Sequence, residues 1–267
     1  MRQAADEADV ERLQAAHADH PFYGVRRLAL HLHWSQKKAR RIRTLSGIVI
    51  DRPGKKPKHA TSAPAEIAAA PNALGQYASF RNGVRPQDGQ SYAAMTNSGA
   101  WVQDFTYLWF QGQWHYLAVV LDLKTRRVLG WRLGLRHSSE LTLAALLDAL
   151  SKHPPPTILH SDQGSEYLSY KHQLLCDKLE ITLSCSKRAS PWQNGFMERF
   201  FGSFKLELGS LKQYDNLDQL HEAVALKIYY YNTDRIHLAL KMSPAAYAAR
   251  LKDQELGKDT VLQKTGA

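Results

Sequence analysis

Apolar residues recur at helical spacing toward both ends of the chain and alternate with polar ones in its middle. Helices are therefore expected to flank a sheet. Residues 5–21 read as an amphipathic helix through Val10, Leu13 and Ala16, limited by Pro21. Val25, Leu28 and Leu32 fit a second helix. Ser35 is a candidate N-cap for a third, with Ala39, Ile42 and Leu45 expected to face inward and Gly47 to end it. From Trp101 the residues become strand formers: Val102, Phe105, Tyr107 and Trp109, then a turn at 111–113. Strands over 114–121 and 128–135, joined by a turn at 124–126, complete an antiparallel meander. Ser138 or Ser139 caps a helix that has Glu140 in its first turn. Leu143, Leu146, Leu147 and Leu150 are expected to face inward there, and Pro154, Pro155 and Pro156 stop it. A short buried strand over 157–160, a helix near 167–179 and a strand over 181–185 follow. Two helices, 191–208 and 217–231, end the regular pattern.

The order β-β-β-α-β-α-β-α-α is the ordering of a ribonuclease-H-like fold. The expectation is an α/β chain in which a mixed sheet flanked by helices follows a small all-α helix-turn-helix domain. Residues 1–50 would form that domain. Residues 51–75 have the Pro-, Lys- and Ala-rich composition of a linker, and 76–98 show no clear period, so 51–98 is read as a basic linker and unassigned segment. The core would run over 99–250, with a tail over 251–267.

Composition narrows the function. Hydrophobic residues make up 44% of the 267, enough to exclude wholesale disorder. No run reaches the roughly 18 to 20 apolar residues of a membrane span. The opening MRQAADEADV has no basic-then-apolar export signal. Two cysteines, Cys176 and Cys185, are too few for a disulfide framework or for a zinc site of their own, and suit the cytoplasm. The net charge is +10 and uneven. Residues 1–58 hold 13 Lys and Arg against six Asp and Glu, whereas the remainder holds 22 against 19. A positive segment attracts polyanions, most commonly nucleic acid. Lys37, Lys38, Arg40, Arg41 and Arg43 crowd seven positions of the third helix. They read either as the recognition face of a helix-turn-helix or as the solvated surface of a helical bundle.

The acids point to chemistry. Two-metal phosphoryl transfer needs carboxylates from separate elements to converge, because Mg²⁺ takes hard oxygen ligands. Three acids are placed for this. Asp104 lies in the first strand, where Asp is disfavoured. Asp162 ends the fourth strand just before a glycine. Glu198 lies on the helix after Pro191, with 35 residues between it and Asp162. Met197, Phe200, Phe201, Phe204 and Leu208 form that helix's core stripe, beside a row of Glu198, Gly202 and Lys205. Lys205 reads as a phosphate contact or as a helix-surface lysine. Asp122 also follows an apolar strand and reads as a turn residue, though pattern alone leaves it open as a ligand. Glu166 and Asp177 read as helix-surface acids, and His160 as support for a strand end.

Taken together, Trp101-x-x-Asp104-x-Thr106-Tyr107, the run His160-Ser-Asp162-Gln-Gly-Ser-Glu-Tyr167, and Asn194-Gly-x-x-Glu198-Arg-Phe-Phe-x-x-x-Lys205-x-Glu207 resemble the DDE integrase core of bacterial insertion-sequence transposases. The resemblance is nearest to the second-frame product of the insertion-sequence-3 family. It extends to the segment Tyr230-Tyr-Asn232-Thr-x-Arg235-x-His237 and to Tyr23-Gly-x-Arg26-Arg27 ahead of the basic helix. It implies that Asp104, Asp162 and Glu198 bind two Mg²⁺ or Mn²⁺ ions. It implies nicking at element ends, followed by attack of the freed 3′-hydroxyl on target DNA. It also implies binding of double-stranded DNA at the nucleoid, homo-oligomeric synapsis and an upstream-frame partner, whose own segments have no counterpart here. DNA contacts would fall to Arg26, Arg27, Lys37, Lys38, Arg40, Arg41, Arg43, Lys205 and Arg235. Asn232, Arg235 and His237 read equally as residues that cap and pack the last helices. Two other readings remain open: a ribonuclease-H-like nuclease, and a DNA-binding regulator without catalysis.

Overall fold

Alternation from residue 100 onward builds the expected meander. The computed structural model describes residues 2–50, 70–74, 99–162, 164–186 and 195–265. Strand β1 (Ala100–Phe110) turns at Gln111 and Gly112 into β2 (Gln113–Asp122), and β3 (Val128–Gly134) pairs antiparallel with β2. After helix α4 (Ser139–Leu150), β4 (Ile158–Ser161) returns parallel to β1. Helix α5 (Tyr170–Lys178) then leads to β5 (Thr182–Cys185), parallel to β4. The sheet order is β3-β2-β1-β4-β5. The interior strand β2 is buried on both faces through Leu117, Ala118, Val119 and Val120, as a sheet covered on both sides requires.

Helix α4 packs Ala145, Leu146 and Ala149 against Trp101, Ala118, Val120 and Leu159. A Cβ at Gly130 of β3 would lie 2.4 Å from the Ala145 carbonyl oxygen, so only glycine lets the helix approach this closely. Ser138 caps the helix by accepting a hydrogen bond from the Leu141 N–H. Two inward expectations fail. Leu147 and, on the third helix, Leu45 are exposed, because Ala145 and Ala149 and then Ala39 and Ile42 already fill the contact faces. Helix α6 (Gly195–Leu208) buries the whole expected stripe of Met197, Phe200, Phe201, Phe204 and Leu208. The expected start of this helix at Pro191 lies outside the described residues, as do most of the linker and the segment 76–98. Within the linker range, however, Leu74 is 1% exposed and its N–H donates to Ser184 Oγ, while Pro71 accepts from the Cys185 N–H. These residues are packed on β5 rather than acting as a tether.

The chain divides into two compact units: Met1–Ala60 with Tyr229–Ala267, and Thr61–Ile228. The division falls within helix α7 (Leu217–Thr233). Residues 229–250, which the sequence assigns to the core, thus group with the N-terminal helices α1 (Arg2–Asp19), α2 (Val25–His31) and α3 (Gln36–Ser46). The reason lies in Tyr23, a fully buried residue whose hydroxyl accepts from the Ile236 N–H at 2.7 Å. Arg27 donates to the Ile236 carbonyl at 2.9 Å, and His20 bonds the Tyr230 hydroxyl at 2.8 Å. The expected tail is largely helix α8 (Pro244–Thr265), capped by Ser243, which accepts from the Ala246 N–H. Among the described residues no helix is long and apolar enough to cross a membrane.

Candidate active site

Parallel pairing brings the two aspartates together. Ala100, Trp101 and Val102 of β1 face Ile158, Leu159 and His160 of β4, a constant offset. Carried two residues further, that offset sets Asp104 level with Asp162, just past the end of β4. Side chains alternate along a strand, so Asp104 points away from the face where Trp101 meets α4. The Phe105 N–H donates to Asp104 Oδ1 at 2.8 Å, and the Gly164 N–H donates to Asp162 Oδ1 at 2.9 Å.

Both carboxyls are pushed above the usual carboxylate range. For Asp104 the causes are burial first, then the charge of Asp162, with Glu166 and Glu198 adding to it; the Phe105 N–H works the other way. For Asp162 the causes are burial and the charge of Glu166, opposed by the Gly164 N–H and by His137. A buried charge is costly unless compensated. Glu198 sits in the first turn of α6, which packs against β1, and it is exposed. Its charge reaches Asp104, but as the weakest of the named influences. Among the described residues no group of three or more His, Cys, Asp or Glu is arranged to hold a metal ion. Repulsion between like-charged carboxylates opposes a tighter gathering.

The other expected residues separate clearly. His160 is buried and bonds Ser184 Oγ at 2.9 Å and Ser186 Oγ at 3.0 Å. Burial holds it down to about 4, so it is a neutral support of the strand end. Asp122 accepts from Lys124 N, Thr125 N and Thr125 Oγ1, and is the turn residue that its position suggested. Asp177 is exposed on α5. Glu166 is not a helix-surface acid: it is 7% exposed, in a turn before α5, and accepts from His137 Nε2 at 2.9 Å. Tyr167 is 1% exposed, its hydroxyl has no hydrogen-bond partner among the described residues, and burial followed by Asp104, Asp162 and Glu166 raises its pKa well above normal. The Glu166–Tyr167 dipeptide carried no pattern that marked it as buried; the glycine two residues earlier was the only local signal.

The cations also divide. Arg26, Lys37 and Arg40 are exposed, and Arg43 and Lys205 are partly so. Lys38 pairs with Asp9 at 2.7 Å, and Arg41 grips Asp6 with both guanidinium arms. Arg27 is committed to Ile236, and Arg235 is 3% exposed with its guanidinium over the Tyr231 ring. Arg27 is partly exposed, whereas Arg235 is not presented to solvent and follows the reading in which it packs the last helices.

Comparison with known proteins gives a consistent picture. A family model described as an integrase core domain matches residues 96–191, and a second of the same description matches 179–244. The chain is 34% identical over 162 residues to an insertion element IS600 uncharacterized 31 kDa protein of Shigella sonnei, covering 59% of this chain and spanning 60% of that relative's length. It is 30% identical over 249 residues to the putative transposase InsK for insertion sequence element IS150 of Escherichia coli (strain K12), covering 90% of this chain and 83% of that one. The integrase of the simian T-cell lymphotropic virus intasome, solved in complex with a PP2A regulatory subunit, superposes with a TM-score of 0.50 at 19% identity, over 87% of this chain and 72% of that chain. That last likeness shows the fold, an integrase-type ribonuclease-H-like sheet.

Proposed function

The chain belongs to the insertion-sequence transposases built on an integrase core, and we propose that it cuts and joins DNA at the ends of such an element through Asp104, Asp162 and Glu198. The observation that carries this reading is the meeting of Asp104 and Asp162 across β1 and β4, both destabilised as anions by burial and by their acidic neighbours. Acids placed so badly for the metal-free fold make sense where a cation joins them.

The donor set suits a divalent ion. Carboxylate oxygens are hard ligands of the kind Mg²⁺ and Mn²⁺ take, and the buried Tyr167 hydroxyl has no hydrogen-bond partner among the described residues. Asp104, Asp162 and Glu198 would hold two such ions, which when bound activate an attacking oxygen and stabilise a leaving one. The chain's own part is orientation. The Phe105 and Gly164 N–H groups each fix one oxygen of an aspartate and so set the direction of its carboxylate. Asp104 stands within β1 and Asp162 directly follows β4, and the rigidity of these paired strands limits reorganisation during the reaction. Glu198, on the first turn of α6, supplies the third ligand, and Lys205 two turns later meets a DNA phosphate.

The N-terminal helices bind element-end DNA. Arg26, Lys37, Arg40 and Arg43 make phosphate contacts, while Lys38 and Arg41 secure α3 to α1 through Asp9 and Asp6. The substrates are double-stranded element ends and target DNA, and the protein acts as a homo-oligomer with an upstream-frame protein of the same element, in the cytoplasm. The test mixes purified protein with labelled element-end DNA and Mg²⁺ and compares it with Glu198→Gln. Nicking and strand transfer are expected from the first and not the second; equal products from both remove Glu198 from the mechanism.

A further inference from the structure

Beside the two aspartates stands a third buried carboxylate that the proposed chemistry leaves unused. Glu166 accepts a hydrogen bond from His137 Nε2 at 2.9 Å. The His137 ring is itself held, 3.9 Å between centroids from Phe105 and stacked at 5.7 Å on Tyr116. Phe105 is the residue after Asp104, so the clamp is anchored on the strand that presents that acid. On the other side, a Cβ at Gly164 would lie 2.3 Å from Glu166 Oε1. The carboxylate therefore lies against the backbone of the loop that orients Asp162.

This placement carries a cost. The Glu166 carboxylate lies against the loop of Asp162 and is tied through His137 to Phe105, beside Asp104, so its negative charge opposes theirs. The bond to His137 needs an acceptor, which a glutamine amide would also supply, without the ion pair that a carboxylate makes with a protonated imidazole. What a carboxylate adds over an amide is negative charge, and that charge harms the metal-free fold. Beyond the His137 imidazole its value is toward a cation, and the Tyr167 hydroxyl, which has no hydrogen-bond partner among the described residues, is a second sign that the site receives a polar guest.

We infer that Glu166 is a positioning residue of the Asp104–Asp162 site: its charge sets the affinity for divalent cations, while His137 holds its carboxylate aside from direct ligation. The inference rests on the carboxylate-site reading above. Groups that act on a metal through its ligands characteristically contribute about 10- to 100-fold in metal affinity or activity.

The experiment titrates the full chain with Mn²⁺, following free Mn²⁺ by electron paramagnetic resonance, and measures melting of the metal-free protein alongside. Glu166→Gln is expected to bind Mn²⁺ about tenfold more weakly, with metal-free melting unchanged or raised. Glu166→Asp restores much of the binding, and the Mg²⁺ concentration for half-maximal strand transfer moves in parallel. Wild-type binding by Glu166→Gln overturns the inference, as does a lowered melting temperature that Glu166→Asp fails to rescue. Should Glu166→Gln not fold, Gly164→Ala takes its place, because its methyl pushes the carboxylate aside with the charge intact; undiminished Mn²⁺ binding by that variant is equally fatal. Asp104→Asn separates the two readings. If it loses Mn²⁺ while Glu166→Gln keeps it, only the role of Glu166 falls; if it too binds normally, the carboxylate site itself falls.

Discussion

Acidic residues meet opposite fates in the two units. In the N-terminal helices, Asp6 is gripped by Arg41 and Asp9 lies 2.7 Å from Lys38. Each acid there ties α1 to α3. In the sheet, Asp148 of α4 follows the same rule: burial works against it, but Lys152, the Trp131 N–H and Arg132 hold it below the usual carboxylate range. Asp104 and Asp162 break the rule in the same unit. Burial raises both carboxyls, with Asp162, Glu166 and Glu198 adding to it at Asp104 and Glu166 at Asp162. Acids with raised pKa values gathered at one place mark a candidate site, whereas paired acids hold elements together.

The contrast is sharpest at Asp104. Replacing it with asparagine should cost strand transfer about a thousandfold, since a metal's charge stabilisation is worth several kcal/mol and about 1.4 kcal/mol is a factor of ten. The same change removes a repelled buried charge, so the metal-free protein should melt higher. Calorimetry showing a lower melting temperature would place Asp104 among the structural acids and end the contrast.

His172 tests burial without charge. It is fully buried, bonds Gln103 at 2.9 Å, and is held down to about 4 by desolvation. A histidine whose pKa is lowered by folding gives its full stability above the unfolded value of about 6.5 and loses it as pH falls toward the folded one. Denaturant midpoints should therefore drop between about pH 6.5 and pH 4, on the order of 3 kcal/mol, and His172→Gln should flatten that slope.

The cations give a smaller effect. Lys37→Ala combined with Arg40→Ala should weaken element-end binding and make its dependence on log salt shallower by about 2, roughly 0.9 for each lost phosphate contact. Arg235→Ala should leave that slope alone and lower the melting temperature, because Arg235 is buried. Filter binding across a salt series distinguishes them. Smallest of all, Asp6→Asn should lower melting slightly through loss of the Arg41 pair, with strand-transfer chemistry unchanged, since exposed ion pairs contribute little.

Much of this architecture was legible in the chain. Alternation located β1 to β3, and the apolar stripe of α6 was correct at every position, because both elements bury one continuous face. Helix α8 escaped notice for the opposite reason: its apolar residues form no strong stripe, and only the Ser243–Pro244 cap announced it. Leu45 and Leu147 fit helical spacing and yet face solvent, since periodicity marks a face without saying how wide the contact on it is. Glu166 was unreadable in sequence. Its burial depends on His137, 29 residues earlier, and on the close approach that Gly164 permits.

What the sequence determined by itself is the set of elements and the roster of acids, because hydrophobic period and residue type are local properties. It could not decide which acids meet. That depends on the parallel register of β1 against β4, on which cations are drawn off into salt bridges elsewhere, and on how far each carboxyl is taken from water. Register, pairing and desolvation are relations between residues far apart in the chain, and they come into being only when the chain has folded.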